Sequence, residues 1–207
     1  MRRLLLYALA IIIFSSSIIG ITYFTLDTQQ DHRSSTPKST TTIIPRNTFL
    51  TYENLAYGIK IQYPSYWQRV DLGRNFIVSF FPPSKNDSGL LENLVVGVSR
   101  LSSHSVSLND FAAARINLYK SQYTDFVLTD TSQGTTSTGS PIYKIEYTHS
   151  NGRLAIKTME VWAIKGTTAF MILYNADTPE YPNLVPIIQK MVDSFGTISP
   201  PPRLHNV

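Results

Sequence analysis

The chain has 207 residues, a formal charge of +4 and no cysteine. That length holds one ordinary domain plus appendages, and the missing cysteine excludes disulfides, a thiolate nucleophile, a lipid-modified cysteine anchor and a cysteine-built zinc centre. The excess charge is not on the domain: Arg2, Arg3, Arg33, Lys38 and Arg46 stand against Asp27 and Asp31, Arg203 lies near the end, and residues 48–199 hold twelve basic and twelve acidic side chains, so no nucleic-acid face is implied.

Leu4 to Leu26 carries no formal charge over 23 residues, enough to cross a bilayer at about 1.5 Å per residue. Arg2 and Arg3 are the only charges before Asp27, so the positive-inside rule puts the N-terminus in the cytoplasm and everything after Leu26 outside the cell membrane. A cleaved signal peptide is the competing reading. The apolar run is longer than the roughly 7–15 residues of a signal-peptide core and no A-x-A-like site follows it, which favours an uncleaved signal anchor over residues 1–26. Asp27 to Asn47 is rich in Ser and Thr, includes Pro37 and Pro45, and has little that is apolar except Ile43 and Ile44; it reads as a tether.

The globular part begins with Phe49 to Asn54, which leads into Tyr57 to Tyr63, where Tyr57, Ile59, Ile61 and Tyr63 alternate onto one face of a strand. Pro64 ends that ladder and Trp67 follows in a loop. Asn75 to Phe81 is a second strand, stopped by Pro82 and Pro83, and Ser84 to Gly89 is a polar turn whose Asn86-Asp87-Ser88 fits the N-glycosylation pattern. Leu94 to Leu101 is a third, with Gly97 marking a bulge or a close approach. The period then changes: Ser107 to Asp110 resembles a capping box, and Leu108, Phe111, Ala112, Arg115, Leu118 and Tyr119 follow helical spacing.

Asp125 to Asp130 reads as a strand and Thr131 to Ser140 as a long polar turn. Ile142 to Thr148 alternates strictly, Tyr143, Ile145 and Tyr147 against Lys144, Glu146 and Thr148. Asn151-Gly152 then reverses the chain, since both residues tolerate positive φ. Leu154 to Ile164 returns, Lys165 to Thr167 turns again, and Thr168 to Tyr174 is apolar on both faces, which requires cover on both. Thr178 as N-cap and Pro179 at N1 open a last helix, Leu184, Ile188, Met191, Val192 and Phe195 form its apolar stripe, and Gly196 is its C′ stop. Residues 199–207 are a Pro-rich tail. The expected class is α+β: an antiparallel sheet covered by two helices, preceded by one N-terminal transmembrane helix.

The run Tyr57 to Pro64 with Trp67, the strands around Trp162 and Phe170 to Tyr174, and the closing helix Tyr181 to Phe195 resemble PsbP-like domains. Those belong to a fold group with Mog1 and DcrB, an α/β/α sandwich, and the resemblance covers Thr48 to Ile198. It implies a non-catalytic protein that binds or supports a membrane-protein partner: plant PsbP is an extrinsic subunit of photosystem II, and Mog1 binds a small GTPase. The anchor and tether depart from the plant protein and match membrane-anchored relatives of prokaryotic type.

Chemistry-bearing motifs are absent: no H-E-x-x-H, P-loop, G-x-S-x-G or G-x-G-x-x-G occurs. The reading assigns no catalytic, cofactor-binding or metal residue and no enzyme activity. Of four histidines, His32 lies in the tether and His205 in the tail. A metal site would have to be built from His104 and His149 with Glu146 or Asp110, without recognised ligand spacing. Tyr143, Tyr147, Trp162 and Tyr174 either line a groove or pack the core, and aromatic residues in strands usually pack. The competing functional class is an extracytoplasmic small-ligand or metal sensor or carrier, with a hydrolase behind it.

Overall fold

The structure, a computed structural model, describes residues 48–83, 92–102, 106–151 and 154–198. The expected membrane span over residues 1–26, the expected tether, Asn86, His104 and the tail therefore lie outside the described residues. Among those described, no helix is long and apolar enough to cross a membrane.

The strand that is apolar on both faces organises the fold. It runs Thr168–Asp177 and is numbered β9, after the eight strands that precede it. β1 (Phe49–Asn54) and β2 (Ile59–Pro64) form a hairpin, β3 (Gln68–Asp71) and β4 (Phe76–Phe81) a second, and β5 (Asn93–Arg100) follows. Helix α1 (Leu108–Gln122) interrupts, then β6 (Val127–Thr135), β7 (Pro141–Asn151) and β8 (Leu154–Lys165) lead into β9. Helix α2 (Tyr181–Ser194) and the two-residue β10 (Gly196–Thr197) close the domain. One antiparallel sheet has the order β3-β4-β5-β9-β8-β7-β6, and a smaller one the order β1-β2-β10.

Alternation along β9 sorts two cores. Phe170, Ile172 and Tyr174 meet Ile59 and Ile61 of β2 and Ile188, Met191 and Val192 of α2. Ala169, Met171 and Leu173 meet Phe111, Ala112 and Tyr119 of α1. Each such Ile, Leu or Phe removed from water contributes about 1.5–3 kcal/mol, so the large sheet is held from both sides. Ser107 caps α1 as expected, its Oγ accepting from the Asp110 backbone N–H at 3.0 Å. Gly97 lies opposite a bulge: Phe76 pairs with Gly97 and Val78 with Val96, leaving Ile77 as the extra residue.

Several boundaries differ from the sequence reading. β1 and β3 are strands in their own right, and Tyr57 sits exposed in the turn before β2 rather than on its buried face. β6 extends through Gln133 to Thr135, a stretch that reads as turn because its side chains are polar and exposed; an edge strand with wet faces needs no apolar alternation. Asn151 pairs with Leu154, so the reversal falls one residue later than Asn151-Gly152. Thr178 does not cap α2; its hydroxyl donates to the Ala155 carbonyl at 2.9 Å, and the helix starts at Tyr181 with Pro182 in its first turn. Gly196 is not a left-handed stop but pairs with Lys60 in β10. A Cβ there would lie 2.6 Å from Thr138 Oγ1, so close approach of the 136–140 turn is what requires glycine. That turn caps the end of α2, with Ser137 N–H donating to the Asp193 carbonyl and Thr138 Oγ to that of Phe195.

Candidate functional site

On β8, Met159, Val161 and Ala163 face α2 and the small sheet, which turns Glu160 and Trp162 toward α1. A carboxylate inside an apolar layer must be met by donors. Four meet it. Trp162 Nε1 and Arg115 Nη2 donate to Oε1 at 2.7 and 3.2 Å, and the Tyr119 and Tyr147 hydroxyls donate to Oε2 at 2.6 and 3.5 Å. Arg115 and Tyr119 are one helical turn apart on α1, which brings both over the same point of the sheet. Arg115 also donates to the Tyr119 hydroxyl and lies 4.6 Å from the centre of that ring. Glu160 is 0% exposed and Arg115 1%.

Burial raises the Glu160 carboxyl above its ordinary value against the opposing pull of Arg115, Trp162 and Tyr147. Burial beside Glu160 pushes the Tyr147 hydroxyl well up. Such shifts often mark active sites. Here the carboxylate oxygens are enclosed by the side chains that bind them, and a general base must reach its substrate's proton. Phe111, Arg115, Trp162, Ala169, Phe170 and Met171 line a crevice beside the cluster that has no room for even a water-sized molecule, so it is not a ligand pocket of ordinary size. The cluster joins α1 to the sheet; it is not placed to act on a substrate.

Around it stand more rings. Tyr147 stacks on Tyr119 at 5.1 Å, and Tyr123, just past the end of α1, stacks on His149 at 4.2 Å between centroids. Burial lowers the half-buried His149, against a hydrogen bond with the Ser150 carbonyl. Of the metal ligands considered from sequence, His104 lies outside the described residues, and His149, Glu146 and Asp110 are not brought together. His149 shares the α1 face with Tyr147, while Glu146 faces the other way and pairs with Lys144 and Lys157 at 3.1 and 3.2 Å. Asp110 is in the first turn of α1 and Tyr123 caps its far end, so about 20 Å separates Asp110 from His149's neighbour at 1.5 Å per residue. Among the described residues no three His, Asp or Glu side chains cluster as metal ligands. Tyr143, Tyr147 and Trp162 face α1 while Tyr174 is in the opposite core, so the four line no common groove.

The sequence reading named Arg115 only as a helix position and did not name Glu160 as a site. A signal was present: one acid stands between Met159 and Val161-Trp162 in a buried strand, and one arginine occupies the apolar stripe of α1.

Residues 47–197 match the PsbP family model. The chain belongs to the PsbP family. The PsbP-like fold, shared with the Mog1 and DcrB group, recurs in solved structures of low identity. Cyanobacterial PsbP (CyanoP) from Synechocystis sp. PCC 6803 is 15% identical, with a TM-score of 0.55 over 72% of this chain and 92% of that one. LpqN of Mycobacterium tuberculosis, described as involved in cell envelope biogenesis, is 14% identical, with a TM-score of 0.57 over 69% of this chain and 83% of that one. PA94 of Pseudomonas aeruginosa, described as a putative regulator, is 13% identical, with a TM-score of 0.50 over 70% of this chain and 94% of that one. Among curated proteins no sequence matches. These likenesses establish the PsbP-like fold and leave the activity to be argued from the residues.

Proposed function

We propose that this PsbP-family chain is a non-catalytic accessory module, held on the outer side of the cell membrane by residues 1–26 and docking on a membrane-protein partner. The observation that carries this reading is the enclosure of the domain's perturbed acid: Glu160 spends its acceptors on Arg115, Trp162, Tyr119 and Tyr147, which leaves the surface to do the work. The uncharged run Leu4 to Leu26 and the polar stretch 27–47 supply the anchor and tether. The tether's 21 residues span at most about 70 Å when extended. Within that radius the domain meets membrane neighbours at high effective concentration.

Crosslinking in native membranes followed by capture under gentle solubilisation tests the reading. A membrane protein recovered repeatedly with the chain supports it, and repeated recovery of the chain alone overturns it. Protease added to intact cells is expected to release the domain by cutting the tether; protection until lysis overturns the orientation.

A further inference from the structure

The large sheet ends on β3 at one side and β6 at the other, and the two edges differ in how they meet solvent. β3 is four residues long, and its Arg69 and Asp71 pair at 3.4 Å; a short, charged edge discourages pairing with other strands. β6 is nine residues long, contains no proline and carries one charge, Asp130, which Lys144 of β7 ties back at 3.3 Å. Its register with β7 slips at Thr129, between Leu128 and Asp130, and is continuous from Asp130 to Thr135. A bulge protects only the start of the edge. Beyond it, six consecutive exposed residues have no described strand on their outer side.

We propose that β6 of one copy pairs antiparallel with β6 of a second copy, joining the two large sheets across a two-fold axis; this rests on the membrane-tethered reading above. Closed two-fold pairs are the commonest assembly of identical chains. An axis through Ser132 sets Ser132 opposite its own copy, Thr131 opposite Gln133 and Asp130 opposite Gly134, so no like charges face each other directly. The two Asp130 side chains fall at opposite ends of the ladder. The two-fold of an antiparallel strand pair is normal to the sheet, so both Thr48 ends emerge at the same height along it. Two tethers of 21 residues would then start from the same side of the pair and could reach one membrane.

The contact is small. Five residues a side fall well short of the roughly 20–30 in a stable interface, so the pair forms where the tether confines both copies, at effective concentrations of order mM, and comes apart on dilution in detergent. A strand from a different protein would fit the same backbone edge and is an outcome of the test.

The chain has no cysteine, so single substitutions report cleanly. Asp130→Cys, Thr131→Cys, Ser132→Cys, Gln133→Cys, Gly134→Cys and Thr135→Cys, with Val70→Cys on β3 as control, are made in the full-length chain and oxidised in native membranes. Disulfide-linked homodimer is expected to peak at Ser132→Cys, which faces its own copy on the axis with the Cα atoms within the roughly 4.4–6.8 Å a disulfide spans, and to stay at background for Val70→Cys. Adding Thr131→Lys to Ser132→Cys, which sets a charge on the edge without touching the core, is expected to reduce the dimer severalfold. Yields on β6 no higher than at Val70, or linkage of β6 to a different protein by mass spectrometry, overturns the proposal. Fractionation of the same cells separates the two readings: membrane-bound chain without β6 crosslinks sinks only the pairing, whereas chain found outside the membrane fraction sinks the anchor as well.

Discussion

Removing the Glu160 side chain tests what holds α1 on the sheet. Glu160→Ala takes the counter-charge from a guanidinium that is 1% exposed and removes the acceptor of Trp162 Nε1 and the Tyr119 and Tyr147 hydroxyls. Breaking a buried ion pair from one side costs about 3–5 kcal/mol, and each donor left without its acceptor adds about 1–3 where neither water nor relaxation replaces it. These effects overlap, so the expected loss is about 4–5 kcal/mol, a large share of a domain stability of about 5–15. Arg115→Met alone should cost less than Glu160→Ala, because the carboxylate keeps its three other donors. Combined with Glu160→Leu, it should recover at least about 2 kcal/mol relative to the sum of the single losses, since apolar replacement of both members of a buried pair is often neutral. Urea unfolding followed by the fluorescence of Trp162, which packs edge-on against Phe111, measures Glu160→Ala, Glu160→Leu, Arg115→Met and the double variant. A loss under about 1 kcal/mol for Glu160→Ala, or strict additivity with Arg115, would falsify the view that this cluster is the joint between α1 and the sheet. The pH dependence has a definite sign. With its folded value raised, Glu160 favours the folded state most when protonated, and that contribution is lost as pH rises from the unfolded range near 4.5 through the folded value. Stability of the wild type relative to Glu160→Gln should therefore fall over that window.

His149 has the opposite sign. Its folded value is lowered by burial, so its contribution is present above the ordinary histidine range and lost as pH falls, and His149→Phe, which keeps a ring on Tyr123, should flatten the acid limb of the thermal-unfolding profile below about pH 6.5. Gly196→Ala forces a Cβ to within 2.6 Å of Thr138 Oγ1 and should cost about 1–3 kcal/mol; a calorimetric midpoint unchanged within a degree would show that the 136–140 turn yields freely. Replacing Gln29 to Thr42 with a Gly/Ser stretch of equal length should leave partner recovery unchanged while deleting residues 1–26 weakens it; loss of recovery on the swap alone would make the Ser/Thr stretch a recognition element.

The parts of the fold that could be read from sequence are those where burial forces a period. Thr168 to Tyr174 announces two covered faces because every residue from Ala169 to Tyr174 is apolar, and both cores are found on either side of it. The stripe Ile188, Met191 and Val192 does the same for α2. Where the chain is wet, period carries no information. Thr131 to Thr135 is strand by its hydrogen bonds to β7 alone, and polar side chains on both faces look like a turn. The buried cluster was missed for a related reason. Arg115 and Glu160 lie 45 residues apart, and each by itself looks like an ordinary charge on an amphipathic element. What distinguishes them is that each occupies a position its neighbours mark as inward: Arg115 follows Phe111 and Ala112 on the buried stripe of α1, and Glu160 follows Thr158 and precedes Trp162 on the inner face of β8. Two such charges of opposite sign, each breaking an otherwise apolar pattern on elements expected to pack together, imply one another, because neither is tolerable inside without a counter-charge. On the proposed docking reading, the same logic puts the partner surface elsewhere. An acid whose acceptors are filled by its own fold has no capacity left for a ligand, so the proposed recognition would fall to groups with unfilled capacity, and the backbone of β6 past its bulge is the longest such run on the large sheet's edges among the described residues.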